Sequence, residues 1–204
     1  MSHPQQLLLA GAYAAADEPG IHGFWLDEAS GALRPAGALA GIANPSFLAA
    51  HPAGELYAAS EADGGSVVAL RLAAAPGAAA ILGRQPAGGD SPCHLAFDPA
   101  GRWLAVANYG SGTARLLPRG PDGALGPPGP IARHSGSGAH PERQEAPHAH
   151  ACAFSADGRL VVVADLGIDR LMLYGVDEAT GALLPRGEGR CRPGAGPRHM
   201  AWHP

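Results

Sequence analysis

Apolar positions in this chain fall in short runs of about six residues and never in a sustained helical period. The clearest are LLLAGAYAA (7–15), IHGFWL (21–26), ELYAAS (55–60), SVVALRL (66–72), RWLAVAN (102–108), TARLLP (113–118) and RLVVVAD (159–165). Gly, Pro, Asp and Asn punctuate them. Short runs rich in branched and small apolar residues, bounded by turn formers, predict β-strands joined by tight turns. No stretch supports a helical solenoid.

The runs repeat as a unit. NPSFLAAHPAG (44–54) and SPCHLAFDPAG (91–101) match position by position, PHAHACAFSADG (147–158) follows the same frame, and GPRHMAWHP (196–204) opens it again. The turn residues His51, Asp98, Ser155 and His203 stand at spacings of 47, 57 and 48 positions. The long middle spacing comes from SGSGAHPERQE (135–145), a polar, Gly-rich insert that reads as a loop. Repeats of roughly 40–50 residues with four strands each are the mark of β-propeller blades. The expected fold is therefore all-β: a single partial propeller over residues 1–204, with blades at about 44–85, 91–133 and 146–190. Two partial blades flank them, three strands at 7–40 and one strand at 197–204. The strand that would complete the first partial blade is missing, so the chain reads as the front part of a longer protein. An open arc of this kind leaves a sheet face and an edge uncovered, and this piece is not expected to behave as a closed domain.

Composition narrows the classes. With 204 residues and 46% hydrophobic residues there is enough chain for a real core. Gly 30 and Pro 20 fit many turns. A net charge of -4 gives no reason to expect nucleic acid or an anionic membrane as partner. No apolar run approaches the roughly 18 residues of a spanning helix. The first residues lack a basic region and a long apolar core, so a cytoplasmic placement is expected. Cys93, Cys152 and Cys191 are odd in number and widely spaced, which gives neither a disulfide frame nor a zinc pattern. Cys93 and Cys152 read as small buried apolar residues.

The first strand of a propeller blade lines the central channel. Five positions before each turn residue stand Ser46, Cys93, His150 and Arg198. Blade equivalence puts these four around one opening, with His150 and Arg198 on adjacent blades. A neutral imidazole takes a proton near pH 7, and a guanidinium holds an anion or a developing oxyanion. Together they suit attack on an ester-like carbonyl in an anionic substrate; the bland alternative is that both serve packing. His94 and His199 occupy matching frame positions and read as blade contacts or as chemistry. His148-x-His150 lies on one strand face, but no carboxylate or thiol completes a metal set. His51 and His203 are expected to cap turns. His3, His22, His134 and His140 are expected to be solvated.

PHAHACAFSADGRLVVVADLGIDRLMLY followed by GAGPRHMAWHP closely resembles the lactonase family of seven-bladed propellers, which includes propeller-type 6-phosphogluconolactonases and carboxymuconate-lactonising enzymes. NPSFLAAHP and SPCHLAFDPAGRWLAVANYGSGTARLLP fit its earlier blades. The resemblance implies about three further blades and a channel-mouth site without a cofactor. It implies a His and an Arg, matched by His150 and Arg198 as catalytic residues, with a Glu and a second Arg beyond Pro204. His148, His199 and His94 are then the candidate substrate-binding residues, for a small anionic lactone. The implied reaction is hydrolysis of 6-phosphoglucono-1,5-lactone; a muconate-type cycloisomerase and a non-catalytic binding platform are the alternatives.

Overall fold

A computed structural model describes residues 5–73 and 79–203; His3 and Pro204 lie outside them. Among the described residues, fifteen strands form four antiparallel sheets. The first blade holds β1 (Gln5–Gly11), β2 (Ile21–Asp27) and β3 (Leu33–Leu39). The second holds β4 (Pro45–Ala50), β5 (Glu55–Ser60), β6 (Ser66–Arg71) and β7 (Ala80–Pro86). The third holds β8 (Pro92–Phe97), β9 (Trp103–Asn108), β10 (Thr113–Pro118) and the two-residue β11 (Ala132–Arg133). The fourth holds β12 (Ala149–Phe154), β13 (Leu160–Asp165), β14 (Arg170–Asp177) and β15 (Ala182–Arg190). Each sheet is a meander in chain order, and β4, β8 and β12 contact one another in turn. This is the all-β propeller architecture that the repeat predicts.

The cores lie between blades, not within them. Leu56 and Ala58 of β5 pack with Ile21 and Leu39 of the first blade. The alternate residues Tyr57 and Ala59 pack with Leu95, Leu104 and Val106 of the third. Ala105 and Ala107 of β9 turn the other way, towards Cys152, Val161 and Val163 of the fourth. A second strand therefore feeds two cores at once, which is why these runs are continuously apolar rather than alternating. Removing each buried Leu or Val from water is worth roughly 1.5–3 kcal/mol. The alanines at 58, 59, 105 and 107 keep neighbouring sheets close.

One irregularity recurs and sets up the site. The ladder between first and second strands slips between Pro45 and Phe47, between Pro92 and His94, and between Ala149 and Ala151. Ser46, Cys93 and His150 are thus the extra, unpaired residue of a β-bulge in three successive blades. A bulge re-aims the side chain of its extra residue and twists the strand. These are the positions that blade equivalence places at the channel mouth.

Two expectations fail. Residues 197–203 form no strand: a ladder needs a neighbour to bond with, and no described segment offers one. Instead Met200, Ala201 and Trp202 line an apolar cavity with Ala153, Val162 and Leu171 on the outer face of the fourth blade. His134 is not solvated. Its side chain is fully buried, with Nδ1 hydrogen-bonded to the buried carboxylate of Asp165 and the ring stacked on Tyr174. The turn-capping reading of His51 holds, since its Nδ1 accepts the amide of Ala53 at 3.1 Å.

Gly167, in the turn between β13 and β14, presses against the segment that leads into β12. A Cβ there would stand 1.9 Å from the Ala146 carbonyl oxygen and 2.7 Å from the His148 nitrogen. Both are backbone atoms that cannot rotate away. Gly167→Ala is expected to lower unfolding free energy by roughly 1–3 kcal/mol, measured by denaturant titration.

Candidate active site

The bulge at His150 is anchored by one carboxylate. Asp165 closes β13 and is fully buried. Its Oδ1 accepts the amides of His148 at 2.8 Å and Gly167 at 2.9 Å. Its Oδ2 accepts from His134, so the third blade helps fix the fourth. Asn108 and Ser60 end β9 and β5 and do related work: Asn108 donates to the Ala87 carbonyl and to Thr113, and Ser60 to the Ala43 carbonyl. A polar residue at the end of each second strand thus ties down the loops at one rim.

At that rim, Arg198 Nε donates to His150 Nε2 at 2.8 Å. The guanidinium has no lone pair to give, so Nε2 is the acceptor and the ring proton sits on Nδ1. His150 is 8% exposed, and its Nδ1 is buried without a hydrogen-bond partner among the described residues. Burial first, then the Arg198 charge and then His199, lower its pKa from 6.5 to about 4. The imidazole is therefore neutral near pH 7, with its one basic lone pair held by the guanidinium.

The cavity in front of this pair, about 220 Å³, is lined by Glu61, Cys93, Tyr109, Arg143, His150 and Arg198. Two of the five residues assigned from sequence are in it. His199 lies beside it, its ring edge-on to His150 at 5.1 Å. His148 and His94 are drawn into packing. His148 Nδ1 donates to the Tyr109 carbonyl at 2.9 Å, Nε2 faces Glu145 at 3.2 Å, and the ring stacks on Tyr109. His94 Nδ1 accepts the Cys152 amide at 3.4 Å, and its ring lies 4.4 Å from that of Phe47. For His94 the physical reason is the alternation of the strand, which sends the residue after the bulge between blades while the bulge residue faces the mouth; His148, ahead of β12, is held by Tyr109. Cys93 is no nucleophile: burial pushes its thiol up to about 12. Among the described residues no group of three His, Cys, Asp or Glu is placed to hold a metal ion.

Sequence reasoning missed Glu61, Tyr109 and Arg143. Glu61 and Tyr109 directly follow Ser60 and Asn108, which pair with Pro45 and Pro92 across the ladder. Antiparallel pairing puts the end of each second strand at the rim where the first strand starts, so the frame contained this signal. Glu61 is held by the Tyr13 hydroxyl, which donates to its carboxylate at 2.9 Å. Arg143 comes from the insert and has no blade equivalent.

The same chemistry predicts acid sensitivity. Burial, then His199 and His150, lower His94 to about 4 as well. Between about 4 and 6.5 the unfolded chain protonates these two histidines and the folded chain does not, so stability falls as pH drops through that window. The thermal midpoint is expected to fall by several degrees from pH 7 to pH 5, and by less in His94→Asn.

Comparison with known proteins gives relatives for the sequence and for the fold. The sequence model of the family described as "Lactonase, 7-bladed beta-propeller" matches residues 7–204. The chain is 38% identical over 196 residues to a 6-phosphogluconolactonase of Bacillus subtilis, covering 95% of this chain and 55% of that protein. A solved structure of a protein from Lactobacillus plantarum superimposes with a TM-score of 0.84 at 32% identity, over 96% of this chain and 56% of that one. The Pseudomonas aeruginosa periplasmic gluconolactonase superimposes with a TM-score of 0.86 at 28% identity, over 96% and 57%. The chain thus spans a little over half the length of these relatives.

Proposed function

The chain belongs to the seven-bladed β-propeller lactonase family, and from that membership we propose that the intact protein hydrolyses a sugar lactone, with 6-phosphoglucono-1,5-lactone as its substrate and 6-phosphogluconate as its product. The observation that carries this reading is the 2.8 Å contact of Arg198 with His150 at the channel mouth. Water adds to the lactone carbonyl, the ring C–O bond breaks, and the ring oxygen leaves as a hydroxyl while the acid ionises. Two proton movements and one developing oxyanion need help.

His150 supplies the base. In the empty site Arg198 occupies its lone pair, so a water can be activated only when the guanidinium lets go. An anionic substrate draws the guanidinium towards itself, which frees Nε2 and removes one of the charges that depress its basicity. Arg198 then faces the substrate's anion or the carbonyl oxygen as it gains charge. His150 takes the water's proton at Nε2, and the resulting imidazolium passes it on to the leaving ring oxygen. No cofactor is needed for this sequence. The relatives named as 6-phosphogluconolactonases support the free lactone as the protein's partner.

The test is acid release by the intact protein from 6-phosphoglucono-1,5-lactone, glucono-1,5-lactone and a muconolactone, each against its spontaneous rate. Hydrolysis of a sugar lactone well above background is expected. Turnover of the muconolactone alone would replace the reading with cycloisomerisation. No turnover at all would leave a binding platform.

A further inference from the structure

We propose that Arg143, together with Arg198, receives the anionic group of the substrate and so sets a preference for phosphorylated over neutral lactones; this rests on the lactonase reading above. The two guanidiniums line two cavities in common, the 220 Å³ cavity at His150 and a second of about 270 Å³. The smaller contains the carboxylate of Glu61, which repels an anion. The larger contains no carboxylate; Gln144, Leu166 and the glycines of the 194–196 loop complete its wall with His140 and Ala195. The division assigns the lactone ring to the His150 cavity and the phosphate to the other.

Of the fourteen arginines, Arg71, Arg102, Arg119, Arg159, Arg170 and Arg190 sit in ion pairs. Arg143 and Arg198 are among the eight in none of the ion pairs between described residues, and of those eight they are the two that line the cavities at His150. Arg198 spends only Nε on His150, which leaves its two terminal nitrogens for a ligand. The Nδ1 of His150 is itself buried and, among the described residues, without a hydrogen-bond partner.

The two loops that carry the pair are tied to one buried carboxylate. Gln144, beside Arg143, donates to Asp169 Oδ1 at 2.8 Å and to the Leu166 carbonyl at 2.8 Å. Asp169 also accepts the amides of Gly194 at 2.7 Å and Gly196 at 2.8 Å, just ahead of Arg198. Asp169 is 3% exposed, with φ 55, so the turn holds it in place. The insert loop and the loop before Arg198 are tied to the same side chain. Two planar guanidiniums lining one cavity can each offer paired N–H donors to the several oxygens of a phosphate.

Arg143→Gln and Arg143→Lys in the intact protein test this, with thermal midpoints checked against wild type. For Arg143→Gln, the ratio of kcat/KM on 6-phosphoglucono-1,5-lactone to that on glucono-1,5-lactone is expected to fall by about 10–100-fold, chiefly through KM. Arg143→Lys should recover part of it. An unchanged ratio in Arg143→Gln overturns the proposal and leaves the lactonase reading standing. Should wild type turn over neither lactone, the lactonase reading fails, and binding of inorganic phosphate decides the anion site alone. Phosphate binding that is lost in Arg143→Gln supports the site; equal binding, or none by wild type, overturns it.

Discussion

His150→Ala is expected to lower kcat/KM of the intact protein on its lactone by about 10²–10⁴-fold, the range set by losing a general acid–base group. The loss should appear mainly in kcat, because the phosphate contacts proposed for Arg143 and Arg198 remain. The residue at this bulge is Ser46 in the second blade and Cys93 in the third, so the position tolerates other side chains and the ladder around it survives the change. A thermal midpoint close to wild type should therefore accompany the lost activity. The pH profile adds a second reading of the same group. kcat/KM reports the free protein, in which burial and Arg198 hold His150 near about 4. The acid limb is expected well below 6.5. Arg198→Ala should move it upward, since the charge that opposes protonation is gone.

Asp165→Ala is expected to cost about 3–5 kcal/mol of stability, because it leaves several buried hydrogen-bond partners without an acceptor, each worth about 1–3 kcal/mol. The carboxylate accepts three hydrogen bonds, from the His148 and Gly167 amides and from His134, and all three groups are buried with it. Alanine strands each of them away from water. Asp165→Asn is expected to be milder, because an amide oxygen can keep the two backbone bonds while its NH2 faces His134. Denaturant titration of the three proteins checks the order wild type, Asn, Ala. The damage should reach the site as well, because the two amides anchor the start of β12, two residues before His150.

The repeat grammar made most of the architecture legible. Turn residues at near-constant spacing, with apolar runs between them, fix four-stranded units because each second strand must feed two cores. The bulge was legible only indirectly. Counting back from the turn led to Ser46, Cys93 and His150, yet nothing in those residue types announces an extra residue in the ladder. His134 was misread because its own neighbours, Arg133 and Ser135, are polar; its partner Asp165 lies 31 positions away on another blade. His94 and His148 were placed at the substrate because histidine invites chemistry, while strand alternation turns His94 between blades and Tyr109 holds His148 by a hydrogen bond and a ring stack. Arg143 had no counterpart to count from, since a loop insert lies outside the frame. The final segment, 197–203, carried the motif of a first strand, but a motif cannot pair without a neighbouring strand.

Nitrogen-15 NMR of the His150 ring in the intact, substrate-free protein tests the central geometry most directly. A neutral ring with its proton on Nδ1 is predicted at about pH 6, titrating near about 4, with the titration shifted upward in Arg198→Ala. A ring protonated on Nε2, or one that titrates the same with and without Arg198, would contradict it.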